Sequence, residues 1–314
     1  MKDKIRQSRR RFLKFVSLNI SLGAGGFFVS RFVNASTSPI ITATIPSTNE
    51  KIPVIGLGSS RTFNVGNDPQ ALDNVAEVMR HFFSAGGALI DSSPMYGSSQ
   101  PAIGYGLNKL DKKSDIFSAD KVWSWNAGLG PEQMEKSRKY WGVDAFDLMQ
   151  VHNLVEWEEH MKTLQQMKRQ GKIRYIGITT SHGRQHDELE EVMRTQPLDF
   201  VQFSYNILDR DVEQNLLPLA RKRGIATIIN RPFQRGDLIG ELEDKPLPGW
   251  ASKINCENWP QFLLKFIVSN PDVTCAIPAT SQVVHVKENM AACYGALPDQ
   301  AMRKRMIDYV ENII

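Results

Sequence analysis

The run Ala-Leu-Ile-Asp-Ser-Ser-Pro-Met-Tyr-Gly at residues 88–97 decides how the chain is read. Ala88, Leu89 and Ile90 make a short apolar segment suited to a strand buried on both faces. Asp91 stops it, and Ser92-Ser93-Pro94 breaks the backbone before Tyr96 and Gly97. A carboxylate and a phenol therefore stand together at the C-terminal edge of a strand. A buried carboxylate costs several kcal/mol unless it is paired, so the chain must supply a cation for Asp91 from elsewhere.

Outward from this stretch, one unit recurs: an apolar strand of a few residues, then a helical pattern. Strands are expected at 53–57, 88–90, 116–122, 146–151, 173–178, 198–203, 225–229 and 273–277. The paired helices are expected at 69–85, 100–109, 131–141, 156–170, 187–194, 212–223, 259–269 and 285–294, with a further helix from Pro298 to the C-terminus. A small β-hairpin should precede them, formed by residues 40–45 and the segment from Ile52. Eight strand-helix units predict an α/β fold, a (β/α)8 TIM barrel with an N-terminal hairpin and an extra C-terminal helix. The runner-up is an open doubly wound sheet. It lacks its dinucleotide fingerprint, since Gly56-Leu57-Gly58-Ser59 runs into Ser60 and Arg61 rather than a third glycine.

Charge separates the N-terminus from the remainder. Residues 1–35 hold eight Lys or Arg against Asp3, so a formal net charge of +4 leaves residues 36–314 net negative. A nucleic-acid-binding surface is not expected there. Within 1–35, Ser-Arg-Arg-Arg-Phe-Leu-Lys at 8–14 precedes a weakly apolar, Gly- and Ser-rich stretch and then Val-Asn-Ala at 33–35. The pattern resembles a twin-arginine signal peptide cleaved after Ala35, giving two segments: signal 1–35 and barrel 36–314. It implies contact with the export machinery and a periplasmic or exported location, cytoplasmic being the alternative. The apolar run is too short and polar for a membrane span, which takes about 20 apolar residues. Cys256, Cys275 and Cys293 are too few and scattered for a metal site or disulfide framework, and inert thiols are expected, a Cys275–Cys293 bridge staying conceivable.

In a barrel of this kind chemistry sits in the loops after the strand C-termini. Asp91 and Tyr96 follow the second strand, Lys121 ends the third and His152 ends the fourth. Each alone has a bland reading: a turn cap, a packed ring, a rim charge, a core histidine. Adjacent parallel strands lie about 4.8 Å apart, so together the four can share one cavity mouth. Lys121 is the cation that Asp91 requires, and its ammonium is expected to lower the pKa of Tyr96. A neutral His152 would donate a hydrogen bond to a substrate oxygen. Such a set suits proton donation to a developing alkoxide better than covalent catalysis. A (β/α)8 hydrolase would want paired carboxylates or metal-ligand spacing, and neither is present.

The chain resembles the aldo-keto reductase family over nearly all of the segment after residue 35. The resemblance rests on Ile-Gly-Leu-Gly at 55–58, Ile-Asp-Ser-Ser-Pro-Met-Tyr-Gly at 90–97, Ala-Asp-Lys-Val-Trp at 119–123 and Phe-Asp-Leu-Met-Gln-Val-His at 146–152. Gly-Lys-Ile-Arg-Tyr-Ile-Gly at 171–177, Val-Gln-Phe-Ser-Tyr-Asn at 201–206, and Ile-Pro-Ala-Thr at 277–280 with Glu288-Asn289 complete it. It implies reduction of an aldehyde or ketone with Tyr96 as general acid, and a tetrad of Asp91, Tyr96, Lys121 and His152. The implied cofactor is NADP(H), with NAD(H) as the alternative, held by Gly58, Ser59, Thr179, Thr180, Gln202, Asn230, Arg231, Thr280, Gln282, Glu288 and Asn289. Thr179-Thr180 stands where the family usually has Ser-Asn, and Asn230 where an aromatic usually stacks on the nicotinamide. Arg231 is placed to approach the phosphates, and Ala279 and His285 replace cations that many members use for adenosine phosphate. Trp123, Trp125 and Asn153 are pocket candidates for a small-molecule carbonyl substrate; residues 236–258 read as a loop whose Pro-rich run at 245–249 could form a lid, with Trp250 and Trp259 near it to fold over cofactor or substrate. A monomer is expected. The reading from another class is a cofactor- or partner-binding barrel with little redox turnover, suggested by the altered Thr180, Asn230 and Ala279.

Overall fold

The computed structural model describes residues 39–314; the signal read at 1–35 lies outside the described residues. Strands β1 (Thr42–Thr44) and β2 (Lys51–Pro53) pair antiparallel as the hairpin. Eight parallel strands follow: β3 (Leu57–Gly58), β4 (Leu89–Asp91), β5 (Phe117–Val122), β6 (Phe146–His152), β7 (Ile173–Thr179), β8 (Phe200–Ser204), β9 (Ala226–Asn230) and β10 (Cys275–Ala276). They lie in sequence order, and bridges Ile55↔Ala276 and Gly58↔Ala279 join the first to the last. Helices α1 (Pro69–Ser84), α2 (Ser99–Leu110), α3 (Gly130–Trp141), α4 (Trp157–Arg169), α5 (His186–Thr195) and α6 (Leu216–Arg223) alternate with the strands. After them come α7 (Asp237–Leu242), α8 (Trp259–Val268), α9 (Val283–Ala291) and the additional α10 (Gln300–Ile313). The chain is a (β/α)8 barrel with both expected additions.

Local chemistry sets the helix starts. Asp68, Asn258 and Asp299 accept from the backbone amides of Ala71, Gln261 and Met302, and Pro69 and Pro260 occupy the first turn, where a missing N–H costs nothing. Two cores result. One lies between strands and helices; the other fills the lumen with Leu89, Phe117, Leu148, Tyr175 and Phe200. In the lumen the Phe117, Tyr175 and Phe200 rings contact one another at centroid distances of 5.5–5.9 Å. The hairpin contributes Ile45 and Ile52 to the lumen core, and its Thr48 hydroxyl meets the Tyr175 hydroxyl at 2.7 Å, so one end of the barrel is filled and tied.

Several boundaries differ from the sequence reading. Pro53 belongs to the hairpin, and the first barrel strand shortens to Leu57–Gly58. The helix expected at 212–223 breaks into a turn at Asp211–Glu213 and α6, because Asn215 caps a new start at Leu216. The segment read as a loop at 236–258 contains α7 and a 3-10 turn at Gly249–Ile254. Trp250 and Trp259 pack on Phe262 and on Tyr309 of α10, which occupies the faces that a lid would need. All three cysteines are free and buried, and burial pushes Cys256 to about 11 and Cys293 to about 12. Among the described residues, no helix is long and apolar enough to cross a membrane and no cluster of metal-binding side chains occurs.

Candidate active site

Strand alternation aims Asp91, Lys121, Gln150 and Gln202 into the lumen above the aromatic layer, since each shares its row or strand face with a lumen residue. Asp91 and Lys121 are sealed, with 2% and 0% of their surface exposed. Lys121 Nζ donates to Asp91 Oδ2 at 2.5 Å and to the Ser92 carbonyl at 2.7 Å. Asp91 Oδ1 accepts from the amides of Gln202 at 3.0 Å and Gln150 at 3.3 Å. Burial works against the Lys121 ammonium; Asp91, Tyr96 and Asp120 together outweigh it and hold the group above the usual lysine range.

Tyr96 sits in a short turn, Pro94–Tyr96, that the Ser93 hydroxyl caps by accepting from the Met95 amide at 3.1 Å. The loop after β3 clasps this turn. Asn64 Oδ1 accepts from the amide and hydroxyl of Ser98, and a side chain on Gly97 would collide with Asn64. Lys121 Nζ stands 5.3 Å from the centre of the Tyr96 ring. Burial pushes the Tyr96 phenol above its ordinary 10; Lys121 lowers it as expected but does not overcome the burial. The phenol is thus held firmly in its protonated form.

His152 meets Tyr96 edge-on at 5.6 Å, and its Nδ1 lies 2.7 Å from the Ser93 hydroxyl. Among the described residues Nδ1 is the one acceptor within hydrogen-bond distance of that hydroxyl, so the serine proton is assigned to Nδ1 and the imidazole proton to Nε2. Burial, then the Lys121 ammonium, hold His152 well below its ordinary range, so it is neutral.

The residues read as cofactor-binding divide into two groups. In the first, side chains serve the protein. Gly58 leaves room for the Ile277 carbonyl, Ser59 donates to the Asp91 carbonyl at 2.9 Å, and Gln202 holds Asp91. The Thr179 hydroxyl accepts from the Asn153 amide at 3.1 Å; Asn230 accepts from Ser204 at 2.6 Å and donates to the Thr180 carbonyl at 2.9 Å. In the second, polar atoms are left open: the Thr180 hydroxyl and one Arg231 terminal nitrogen are buried without a hydrogen-bond partner. Arg61 and Arg235 lie close enough to depress Arg231 further after burial has done so, and none of the three is ion-paired among the described residues. Thr280 accepts from the Gln282 amide at 3.0 Å and lies 3.4 Å from His285. Asn289 is buried and Glu288 half-buried in α9.

Of the pocket candidates, Trp123 is half-buried and clamped by Gln133, which bonds both its amide and its carbonyl at 2.7 Å. Trp125 is 74% exposed at the rim, and Asn153 turns the chain with φ of 54°. Sequence reasoning missed Ser93, Gln150, Asn64 and Arg235. The strand period of two pointed to Gln150, two residues before His152 on the same face. A separate cavity of about 650 Å³ opens between α3 and α4, lined by Met134, Met149 and Met167 among others, and contains none of the four tetrad residues.

Comparison with known proteins gives a consistent picture. The model of the Aldo/keto reductase family matches residues 54–307. The NADH-specific methylglyoxal reductase of Escherichia coli is 25% identical over 311 residues, covering 81% of this chain and 92% of that protein. The methylglyoxal reductase YeaE of the same organism is 26% identical over 247 residues, 76% of this chain and 85% of that protein. An aldo-keto reductase from Klebsiella pneumoniae, solved with NADPH, superposes with a TM-score of 0.71 at 19% identity, covering 87% of this chain and 95% of that one.

Proposed function

The chain belongs to the aldo/keto reductase family, and from that premise we propose that it reduces an aldehyde or ketone to an alcohol with NAD(P)H, Tyr96 acting as general acid. The observation that carries this is the sealed Asp91–Lys121 pair beside a protonated phenol and a neutral imidazole.

The residues left open fit a phosphorylated nucleotide. The buried, unpartnered Arg231 nitrogen, with Arg61 and Arg235 near it, suits phosphate oxygens, and the orphan Thr180 hydroxyl suits an amide. NADP(H) is the preferred form, NADPH being bound in the Klebsiella pneumoniae structure; NAD(H) is the alternative, the Escherichia coli relative being NADH-specific. When bound, the nicotinamide supplies the hydride. Nε2–H of His152 orients the substrate oxygen, and Tyr96 delivers its proton to that oxygen as negative charge develops. The Lys121 ammonium stabilises the phenolate left behind, and Asp91, fixed by Gln150 and Gln202, keeps the ammonium in place.

The test is turnover of purified protein with NADPH or NADH and a panel of aldehydes and ketones that includes methylglyoxal. Tyr96→Phe should lose about 10²–10⁴-fold in turnover while still binding nucleotide by fluorescence quenching. Equal turnover in the variant would remove Tyr96 from its role. A second reading, a cofactor- or partner-binding barrel with little turnover, is favoured by Asn230, which Ser204 and Thr180 hold where a stacking ring is usual. Nucleotide binding without turnover on any carbonyl would select it.

Export by the twin-arginine route, cleavage after Ala35 and a monomeric barrel from 36 to 314 are part of the same proposal, supported by the Arg-rich start and small-residue end of the first 35 residues. A fractionation blot that finds only full-length chain in the cytoplasm would overturn the placement.

A further inference from the structure

Asp120 is a second buried carboxyl beside the tetrad, and the chemistry above makes no use of it. It precedes Lys121 on β5 and points the opposite way. Its register partner Met149 belongs to the core between strands and helices, whereas Gln150, the partner of Lys121, reaches Asp91 in the lumen. The residue has no exposed surface. Gln100 of α2 donates to Asp120 Oδ2 at 2.6 Å and to the hydroxyl of Ser137 of α3 at 2.8 Å, so one amide joins the carboxyl to two helices.

Its other oxygen, Oδ1, is buried with no partner, and so is the hydroxyl of Ser92, the residue just past the end of β4, whose amide bonds to the Ala119 carbonyl of β5. A carboxylate there would have one oxygen without a donor, a costly state in a dry layer; a neutral carboxyl has less to satisfy. The groups packed around it are few in charge. The helices present neutral Gln100 and Ser137, the end of β4 is followed by neutral Ser92 and β6 presents Met149, while the charges that reach it are Lys121 and Asp91. Burial, opposed by the Lys121 backbone and ammonium, pushes the group up to about 7. Asp120 is in turn among the groups that raise both Lys121 and Tyr96.

We propose that Asp120 is a positioning residue for the proton donor, its carboxyl acting through Lys121 from the helix side of β5 to set how readily Tyr96 gives up its proton. The inference rests on the reading of Tyr96 as general acid. With Asp120 neutral, the Lys121 charge is less compensated, phenolate is better stabilised and Tyr96 is the stronger acid. With Asp120 ionised, an added negative charge opposes phenolate, and proton delivery slows. The neutral pH range isolates the effect, because Tyr96 titrates above it and His152 well below it.

The experiment is reductive kcat at saturating nucleotide and carbonyl substrate as a function of pH, for the wild type, Asp120→Asn and Gln100→Met. Wild-type kcat should fall about three- to tenfold between about pH 6 and pH 8. Asp120→Asn, fixed in the neutral state, should be flat across that window. Gln100→Met, which removes the donor to the carboxylate, should move the midpoint upward. Profiles that coincide, or an Asp120→Asn profile lowered uniformly with the wild-type inflection kept, would overturn the proposal. Infrared difference spectra of wild-type protein keep it testable if Asp120→Asn does not fold: a protonated buried carboxyl band should disappear with a midpoint near 7, and a carboxyl unchanged through the range defeats the idea. Absence of turnover on every carbonyl compound sinks the reductase reading; turnover with coincident profiles sinks this inference alone.

Discussion

Gln202 donates its amide at 3.0 Å to Asp91 Oδ1, joining two residues 111 positions apart in the chain. A glutamine expected on the cofactor also holds the acid of the tetrad, and with Gln150 it satisfies Asp91 Oδ1 while Lys121 takes Oδ2. The ion pair is a four-residue assembly drawn from β4, β5, β6 and β8.

Breaking that assembly from one side should cost more than removing it. Lys121→Met leaves an uncompensated buried carboxylate and is expected to destabilise by about 3–5 kcal/mol, with reduction lost. The double variant Asp91→Asn with Lys121→Met should recover part of the stability and none of the activity. Urea denaturation of these two variants and of Asp91→Asn alone decides it; strictly additive losses would mean that the two side chains are not energetically coupled.

Acidification should weaken the fold through His152. Burial, then Lys121, hold the folded imidazole well below its ordinary 6.5, so the unfolded chain binds a proton near that pH that the folded chain refuses. Stability then falls as pH drops below about 6.5, by at most about 1.4 kcal/mol per pH unit for one group. Thermal melts from neutral to mildly acid pH should show a shallower slope in His152→Gln than in the wild type. Identical slopes would assign the effect to other groups.

Barrel closure depends on a bare backbone at Gly58. A methyl group there would stand 2.8 Å from the Ile277 carbonyl, which is held in the sheet by the Ile277 amide bonding to Ile229. Gly58→Ala should therefore destabilise by about 1–3 kcal/mol through overpacking. Thermal denaturation against the wild type measures it, and an unchanged midpoint would show that the first strand can yield.

The open arginines should report on nucleotide affinity rather than on chemistry. Arg231→Ala and Arg235→Ala are each expected to raise the KM for nucleotide by about tenfold at low salt with kcat nearly kept, the difference shrinking at high ionic strength. A fall in kcat at constant KM would place these side chains in the reaction itself.

Much of the site was legible because strand ends are legible. Apolar runs stopping at Asp91, Lys121 and His152 located three tetrad members, and the Ser-Ser-Pro break located Tyr96. Ser93 was read only as part of that break, although its hydroxyl fixes the histidine tautomer; nothing local to a Ser-Pro turn says which ring it will meet 59 residues later. Asp120 was passed over for a related reason. Its neighbour Lys121 carried the motif, and the burial that makes Asp120 unusual comes from α2 and α3 packing over β5.

By itself the sequence determined the barrel, its hairpin and its final helix, because hydrophobic periodicity and capping residues are local properties of the chain. It also determined which four residues face one mouth, since parallel strand ends place Asp91, Lys121 and His152 there and the Ser-Ser-Pro break after Asp91 places Tyr96. Only the tertiary structure decided what those residues experience. The protonated state of Tyr96, the neutrality of His152 and the bond from Gln202 to Asp91 arise from burial and from partners brought together across the sheet, and burial is a property of the packed molecule rather than of any segment in it.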